Sequence, residues 1–384
     1  MDLSAESYRE VVKHVGSRAD LAALSRVSRA FRTAAERALY NTLYMYDVED
    51  TMRLCDTLAR QPRVAVFVDA FTIHVGDLQD EDSDTEADPS HEEITPDLPS
   101  QYWPSISFAL RHLTRLRHLN IYVGQAAPSA ATAWILDGCV FQLRSFHCDL
   151  DWDDHLVAFL NTQRELDDLY IVDYRTPANA AAQSTTSPVT TMPLLSTAMP
   201  RLSILECTFI EAATAIAAER PVVRLKTCFS QPNLGERRIE LMSLSTALAQ
   251  RTTRIRALDV GDSAYVGSFS INVLAEAIKA AKTLRYLGTL ALPVDGQERL
   301  HFYGYLMRLR RLQCLEVEVS GWNPIPHTLA AFASVFKELR MYCPSVTKAI
   351  FVHDYERTVV LYDIRRNVYE LDEENSSDTL WRET

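Results

Sequence analysis

Leu116-Arg117-His118-Leu119-Asn120-Ile121 is one spelling of a pattern that runs through most of this chain: leucine, two residues, leucine, one residue, an apolar residue. It returns as Leu143-Phe146-Cys148, Leu166-Leu169-Ile171, Leu202-Leu205-Cys207, Ile255-Leu258-Val260 and Leu312-Leu315-Val317. A looser copy is Leu284-Leu287-Thr289, and Val222 to Thr227 can hold another. The steps average about 30 residues, a period that signals a solenoid of stacked units. A short strand alternates inward and outward, so the second leucine and the apolar residue two later face a core. Several of these strands neighbour a run at helical spacing: Leu156, Phe159 and Leu160; Leu241, Leu244 and Leu248; Leu274 and Ile278; Tyr303 and Leu306; Leu329, Phe332 and Phe336. A strand and helix repeated in this way bury themselves only against their neighbours, which predicts an α/β solenoid with parallel strands lining one face.

The wording resembles a divergent leucine-rich repeat domain, without the asparagine ladder of the standard repeat; Cys148 and Cys207 fill apolar strand positions. The domain is expected over residues 100–371, interrupted by an uncharged Ala/Ser/Thr/Pro-rich loop at 176–200. Near its end, Val346 to Glu370 reads as short β runs with Asp354-Tyr355-Glu356-Arg357 as a turn, a β cap over an otherwise open sheet edge. Residues 372–384 form an acidic tail whose Leu380 and Trp381 either hang loose or pin back onto that cap.

Within each strand the residue between the two core positions points away from the core. Asn120, His147, Tyr170, Glu206, Asp259 and Glu316 are therefore expected in adjacent columns, with Tyr122, Asp149 and Glu318 one alternation further on. Tyr122, His147, Tyr170, Glu206, Asp259, Glu316 and Glu318 are the candidate target-binding residues, aromatic in the earlier repeats and acidic in the later ones. That mixture suits a protein partner carrying basic residues.

At the other end of the chain, Tyr8, Val11, Val12 and Val15 make one stripe of an amphipathic helix. Ser17 with Asp20 then forms a capping start for Leu21, Leu24, Val27, Phe31, Ala34, Ala35, Ala38 and Leu39. Ser25 and Ser28 interrupt that run, so it divides into two helices at a sharp corner. Three short helices cannot bury all of this surface among themselves. The stretch from Leu3 to Leu43 resembles an F-box. Asp20-Leu21 matches the family's aspartate-leucine pair, Val27-Ser28-Arg29 and Phe31 its corner and aromatic, and Leu39-Tyr40 its closing pair. The family usually opens with leucine-proline, where this chain has Leu3-Ser4; Ser4 can cap the same helix instead. The resemblance implies that residues 1–45 bind a Skp-type adaptor and, through it, a cullin scaffold. Leu3, Tyr8, Val11, Val12, Leu21, Leu24, Val27, Phe31 and Leu39 are the candidate adaptor contacts.

Residues 46–76 read as a linker or first irregular repeat. Ten carboxylates and no lysine or arginine lie between Asp77 and Asp97, and residues 77–99 are expected to be a disordered acidic loop. The net charge of −12 is concentrated there, which leaves the remaining surface nearly balanced and without a basic footprint for nucleic acid. No stretch of the 384 residues is apolar enough for a membrane span, and the N-terminus lacks a secretory signature. Seven scattered cysteines predict no disulfide framework and suit a reducing cytoplasm or nucleus. Gly261-Asp262-Ser263 resembles the nucleophile block of GDS-type esterases, but no histidine after it stands three residues beyond an aspartate, so it reads as a turn. His147, Cys148, Asp151 and His155 lie close in sequence without a second ligand pair. The sequence thus predicts no enzyme, metal or cofactor, but a substrate receptor of a Skp-cullin-F-box ubiquitin ligase with an unidentified protein target. The alternative is a leucine-rich scaffold acting outside a ligase.

Overall fold

Parallel strands in sequence order, each followed by a return helix or loop, account for most of the chain. A computed structural model describes residues 4–75, 98–124, 133–172, 192–250, 254–261, 265–372 and 377–384. Leu3, the segment 77–97 and the loop residues 176–191 lie outside them. The chain divides into two compact units, Met1–Arg201 and Leu202–Thr384.

The first unit opens with α1 (Ala5–Lys13), α2 (Arg18–Leu24) and α3 (Arg29–Tyr40). Each starts on a serine: Ser4, Ser17 and Ser28 accept from the backbone N–H groups of Ser7, Asp20 and Phe31. These oxygens satisfy amides that no preceding turn can reach, and they fix where each helix begins. Ser25 Oγ donates to the Ala22 carbonyl at 2.7 Å where α2 stops, so the corner falls between the two serines that interrupt the pattern.

There follow β1 (Thr42–Met45), α4 (Val48–Arg60), α5 (Pro62–Ala65), β2 (Ala70–His74), α6 (Tyr102–Leu110), β3 (His118–Tyr122), a 3₁₀ turn at Ala133–Leu136, β4 (Ser145–Cys148), α7 (Asp154–Thr162) and β5 (Asp168–Ile171). The five strands are parallel neighbours in the order β1-β2-β3-β4-β5. Two of them, β1 and β2, precede residue 100 and lack the leucine spelling; Leu43, Phe71 and Ile73 hold the inward positions and are fully buried. The ladder therefore reaches back to Thr42, through the stretch read as a linker or first irregular repeat. The described end of the predicted loop insertion is anchored: the Met192, Leu195 and Met199 amides bond to Asp154, Asn161 and Gln163, and Ala198 and Met199 are buried.

The second unit contains β6 (Ile204–Phe209), α8 (Ile210–Ala217), β7 (Arg224–Cys228), α9 (Leu234–Ala249), β8 (Ala257–Gly261), α10 (Gly267–Ala280), β9 (Tyr286–Ala291), α11 (Gly296–Leu306), β10 (Cys314–Glu318) and α12 (Leu329–Tyr342), then β11 (Lys348–His353), β12 (Glu356–Asp363) and β13 (Val368–Leu371). Strands β6 to β11 pair in parallel, and β11-β12-β13 are antiparallel. The hairpin turn is Asp354-Tyr355, both at positive φ, the conformation that matches a two-residue loop to the strand twist. A last short helix, α13 (Leu380–Glu383), ends the chain. No described helix is long and apolar enough to cross a membrane.

Candidate functional site

Strand register decides which outward residues become neighbours. In the first unit Tyr44, Thr72, Asn120, His147 and Tyr170 are successive partners across β1 to β5, and His74 pairs with Tyr122 in the row beyond. The rings stack along that second row: Tyr46 to His74 at 5.0 Å and His74 to Tyr122 at 4.7 Å, both close to parallel. Tyr170 joins from the first row, 6.4 Å from Tyr122 and edge-on to His147 at 6.0 Å. Tyr44 and Tyr46 are exposed and the others half-buried, so one strand face presents a continuous belt of aromatic and imidazole rings. Polar contacts hold it in place. Asn120 Nδ2 donates to Thr72 Oγ1 at 3.2 Å, and His147 Nε2 lies 3.3 Å from Asp168 Oδ2. Partial burial lowers the pKa of His74 against the pull of Asp149, which disfavours the charged ring in the stack. Asp149 itself accepts from the Val123 and Gly124 amides at 2.8 and 2.7 Å, closing the turn after β3.

Tyr122, His147 and Tyr170 thus stand where alternation places them. Tyr44, Tyr46 and His74 complete the surface and were missed, because Tyr40 holds the first leucine position before β1, and Val68, Phe71 and Ile73 hold the leucine positions of β2. The period-two run Phe71-Thr72-Ile73-His74 is the signal that finds His74.

The second unit treats its outward row differently. Glu206, Lys226, Asp259 and Gly288 are register partners across β6 to β9. Contrary to the expectation of an exposed acidic patch, Asp259, Glu316 and Glu318 are buried, at 5%, 2% and 7% exposure. They do point away from the leucine core, but this face is covered. Leu380 and Trp381 of α13 are buried against Ala257, Tyr286, Cys314, Ile350, Val352 and Val359. Arg382 pairs with Glu206, which also takes Lys226 Nζ at 2.9 Å. Arg357 of β12 donates from Nε to Glu316 Oε1 at 3.0 Å and pairs with Asp378 at 3.2 Å. The Glu316 carboxylate also accepts from the hydroxyls of Tyr286 and Thr289, and Glu318 accepts from the Ser320 amide at 2.6 Å. Burial, reinforced by the Glu316 charge, pushes the Asp259 carboxyl up to about 7 against Lys226 and Arg357. Glu206 is likewise engaged on both sides, so these acids are internal partners. Of the two fates open to the tail, the structure shows the second: it is pinned, on the strand face.

In α1–α3, Val12, Leu21 and Ala35 form a small core with Val15, Leu24, Phe31, Ala34 and Leu39 packed around it, and Tyr8 meets Phe31 edge-on at 4.7 Å. Val12 and Leu21, expected on the contact surface, are consumed by that core. Tyr8, Leu24, Phe31 and Leu39 are half-buried, whereas Val11 and Val27 stand out at 43% and 66% exposure. Among the described residues no cluster of metal-ligating side chains occurs, and Cys148 lies wholly in the core.

No family model and no curated protein matches the chain. Among solved structures it is similar to the leucine-rich repeat-containing protein LegL7 from Legionella pneumophila. The TM-score is 0.42 at 13% identity, over 66% of this chain and 80% of that one.

Proposed function

We propose that the chain is a non-catalytic protein-interaction scaffold that serves as the substrate receptor of a Skp-cullin-F-box type ubiquitin ligase. The observation that carries this reading is the N-terminal module. Its three serine-capped helices close a core of their own and still leave Val11 and Val27 exposed, on a sequence that resembles an F-box. Ser4 caps α1 with its hydroxyl 3.1 Å from the Ser7 amide, so the missing proline does not cost the helix its start. The ring belt on the first unit's strand face is the surface proposed for the target, since aromatic side chains offer large contact area at low entropic cost. Such a receptor supplies no chemistry. It raises the effective concentration of target lysines at the conjugating enzyme.

Co-expression of the full chain with a Skp-type adaptor tests the reading. The wild type is expected to co-purify with the adaptor, and Val27→Asp to lose it by about tenfold or more while the thermal midpoint holds, because Val27 supports no internal packing. Failure of the folded wild type to retain any adaptor overturns the ligase assignment and leaves the scaffold alone.

A further inference from the structure

Three residues recur at the foot of the strands in the second unit: an outward residue, a buried apolar one, and a second outward one. They read Arg254-Ile255-Arg256 before β8, Thr283-Leu284-Arg285 before β9, Arg311-Leu312-Gln313 before β10 and Ser345-Val346-Thr347 before β11. The middle residues, Ile255, Leu284, Leu312 and Val346, are buried. That anchor forces the residues on either side outward, into two columns. Backbone bonds lock the columns in step: the Arg285 amide donates to the Arg256 carbonyl, and the Gln313 amide to the Arg285 carbonyl, both at 2.7 Å.

The result is a concentration of guanidinium groups on a chain whose net charge is −12. Two adjoining cavities, of about 250 and 280 Å³, share Arg285 and Arg311 as common walls. Arg310, Gln313 and Ser345 complete the first, and Val223, Arg254, Arg256 and Thr283 the second. Among the described residues no carboxylate lines either one. None of the five arginine side chains has an ion-pair or hydrogen-bond partner among the described residues, although acidic residues outnumber basic ones in the sequence. Five like charges around two adjoining cavities repel one another, and an anion relieves that repulsion.

We propose that this edge binds a phosphorylated protein segment, with one phosphate in each cavity. A phosphate carries nearly two charges and three acceptor oxygens, which several guanidiniums engage through paired N–H bonds where a single carboxylate satisfies only one. The Ser345 hydroxyl and the Gln313 amide add neutral partners. In an extended segment, phosphates two residues apart lie about 7 Å from one another, on the scale of adjoining cavities at the foot of strands about 4.8 Å apart. Nucleic acid fits less well. Among the described residues neither cavity is lined by an aromatic side chain on which a base could stack, and the acidic chain repels a long polyanion approaching from solution. The inference is independent of the adaptor reading, since it concerns a different surface and a direct binding event.

Fluorescence anisotropy on the full chain tests it. The probes are a short labelled peptide with two phosphoserines separated by one residue, its unphosphorylated twin, an oligothymidine of equal charge, and inorganic pyrophosphate as competitor. The phosphopeptide is expected to bind about tenfold or more tightly than its twin, with affinity falling as salt rises. Pyrophosphate should displace it only at higher concentration than unlabelled phosphopeptide. The double variant Arg285→Gln/Arg311→Gln, exposed and outside the core, should keep its thermal midpoint and lose the preference, while Arg308→Gln keeps it. Equal binding of the twin, or an unaffected double variant, overturns the proposal. So does oligothymidine binding as tightly as the phosphopeptide, which would make the edge a nucleic-acid site. Pyrophosphate binding at least as tightly as the phosphopeptide would make it a site for free anions, and overturns it equally.

Discussion

Arg357 Nε donates to Glu316 Oε1 across 3.0 Å, joining a residue of the terminal hairpin to a carboxylate that is 2% exposed on β10. A buried carboxylate is tolerated only when its lone pairs are met. Here the hydroxyls of Tyr286 and Thr289 complete the set. Replacing Arg357 with leucine leaves that charge without its cation. The expected loss is about 3 kcal/mol, toward the lower end for a broken buried pair because the two hydroxyls remain. Calorimetric unfolding of the variant beside Glu316→Gln/Arg357→Leu checks it; the double variant should recover part of the loss.

Asp259 sets a pH dependence. Burial first, then the Glu316 charge, raises its carboxyl from the usual carboxylate range to about 7, with Lys226 and Arg357 opposing and Glu206 adding. A carboxyl whose folded pKa lies above its unfolded one favours folding while protonated. Its contribution is full below about pH 4 and fades as pH rises toward 7. Asp259→Asn should flatten the decline in stability between about pH 4 and 7 in denaturant titrations. An unchanged slope would show that Asp259 is ionised throughout.

Gly288 stands opposite Glu316 because nothing larger fits. A Cβ built there would lie 2.9 Å from Glu316 Cβ and 2.9 Å from Tyr286 Oη. The first neighbour sits next to backbone and cannot swing away. Gly288→Ala should therefore destabilise the second unit by about 1–3 kcal/mol despite the entropic advantage of alanine, as read by urea unfolding.

Trp381 is 2% exposed although it lies three residues from the last position. Trp381→Ala is expected to cost about 3–5 kcal/mol, the range for emptying a buried aromatic site. Amide exchange should then quicken on β8 to β10, where the ring is packed. Exchange at wild-type rates would mean the tail adds little to the strands beneath it.

On the first unit's face, Tyr44→Ala, His74→Ala and Tyr122→Ala together should lower target capture from lysate by about tenfold, with a midpoint shift of only a few degrees since these rings are not in the core. Capture equal to wild type removes the belt as the recognition surface.

Much of this architecture is determined locally. Leu119 and Ile121, or Leu315 and Val317, declare a strand and its inward face through a spacing of two, and Ser4, Ser17 and Ser28 declare helix starts through the chemistry of an unpaired amide. Alternation also fixes which residues point outward, and Asn120, His147, Tyr170, Asp259 and Glu316 all do. What alternation cannot say is whether the outward side meets water. Tyr122 and Asp259 occupy equivalent faces of their strands, yet one lines an open belt and the other is buried on a face whose Ala257 packs with Trp381, more than a hundred residues away in sequence. Coverage arises from contacts between segments that no local pattern links. The exposure of the face, the protonation of Asp259 and the pairing of Glu316 with Arg357 were therefore decided only when the chain closed on itself, because burial and charge are properties of the assembled surroundings and not of the spelling.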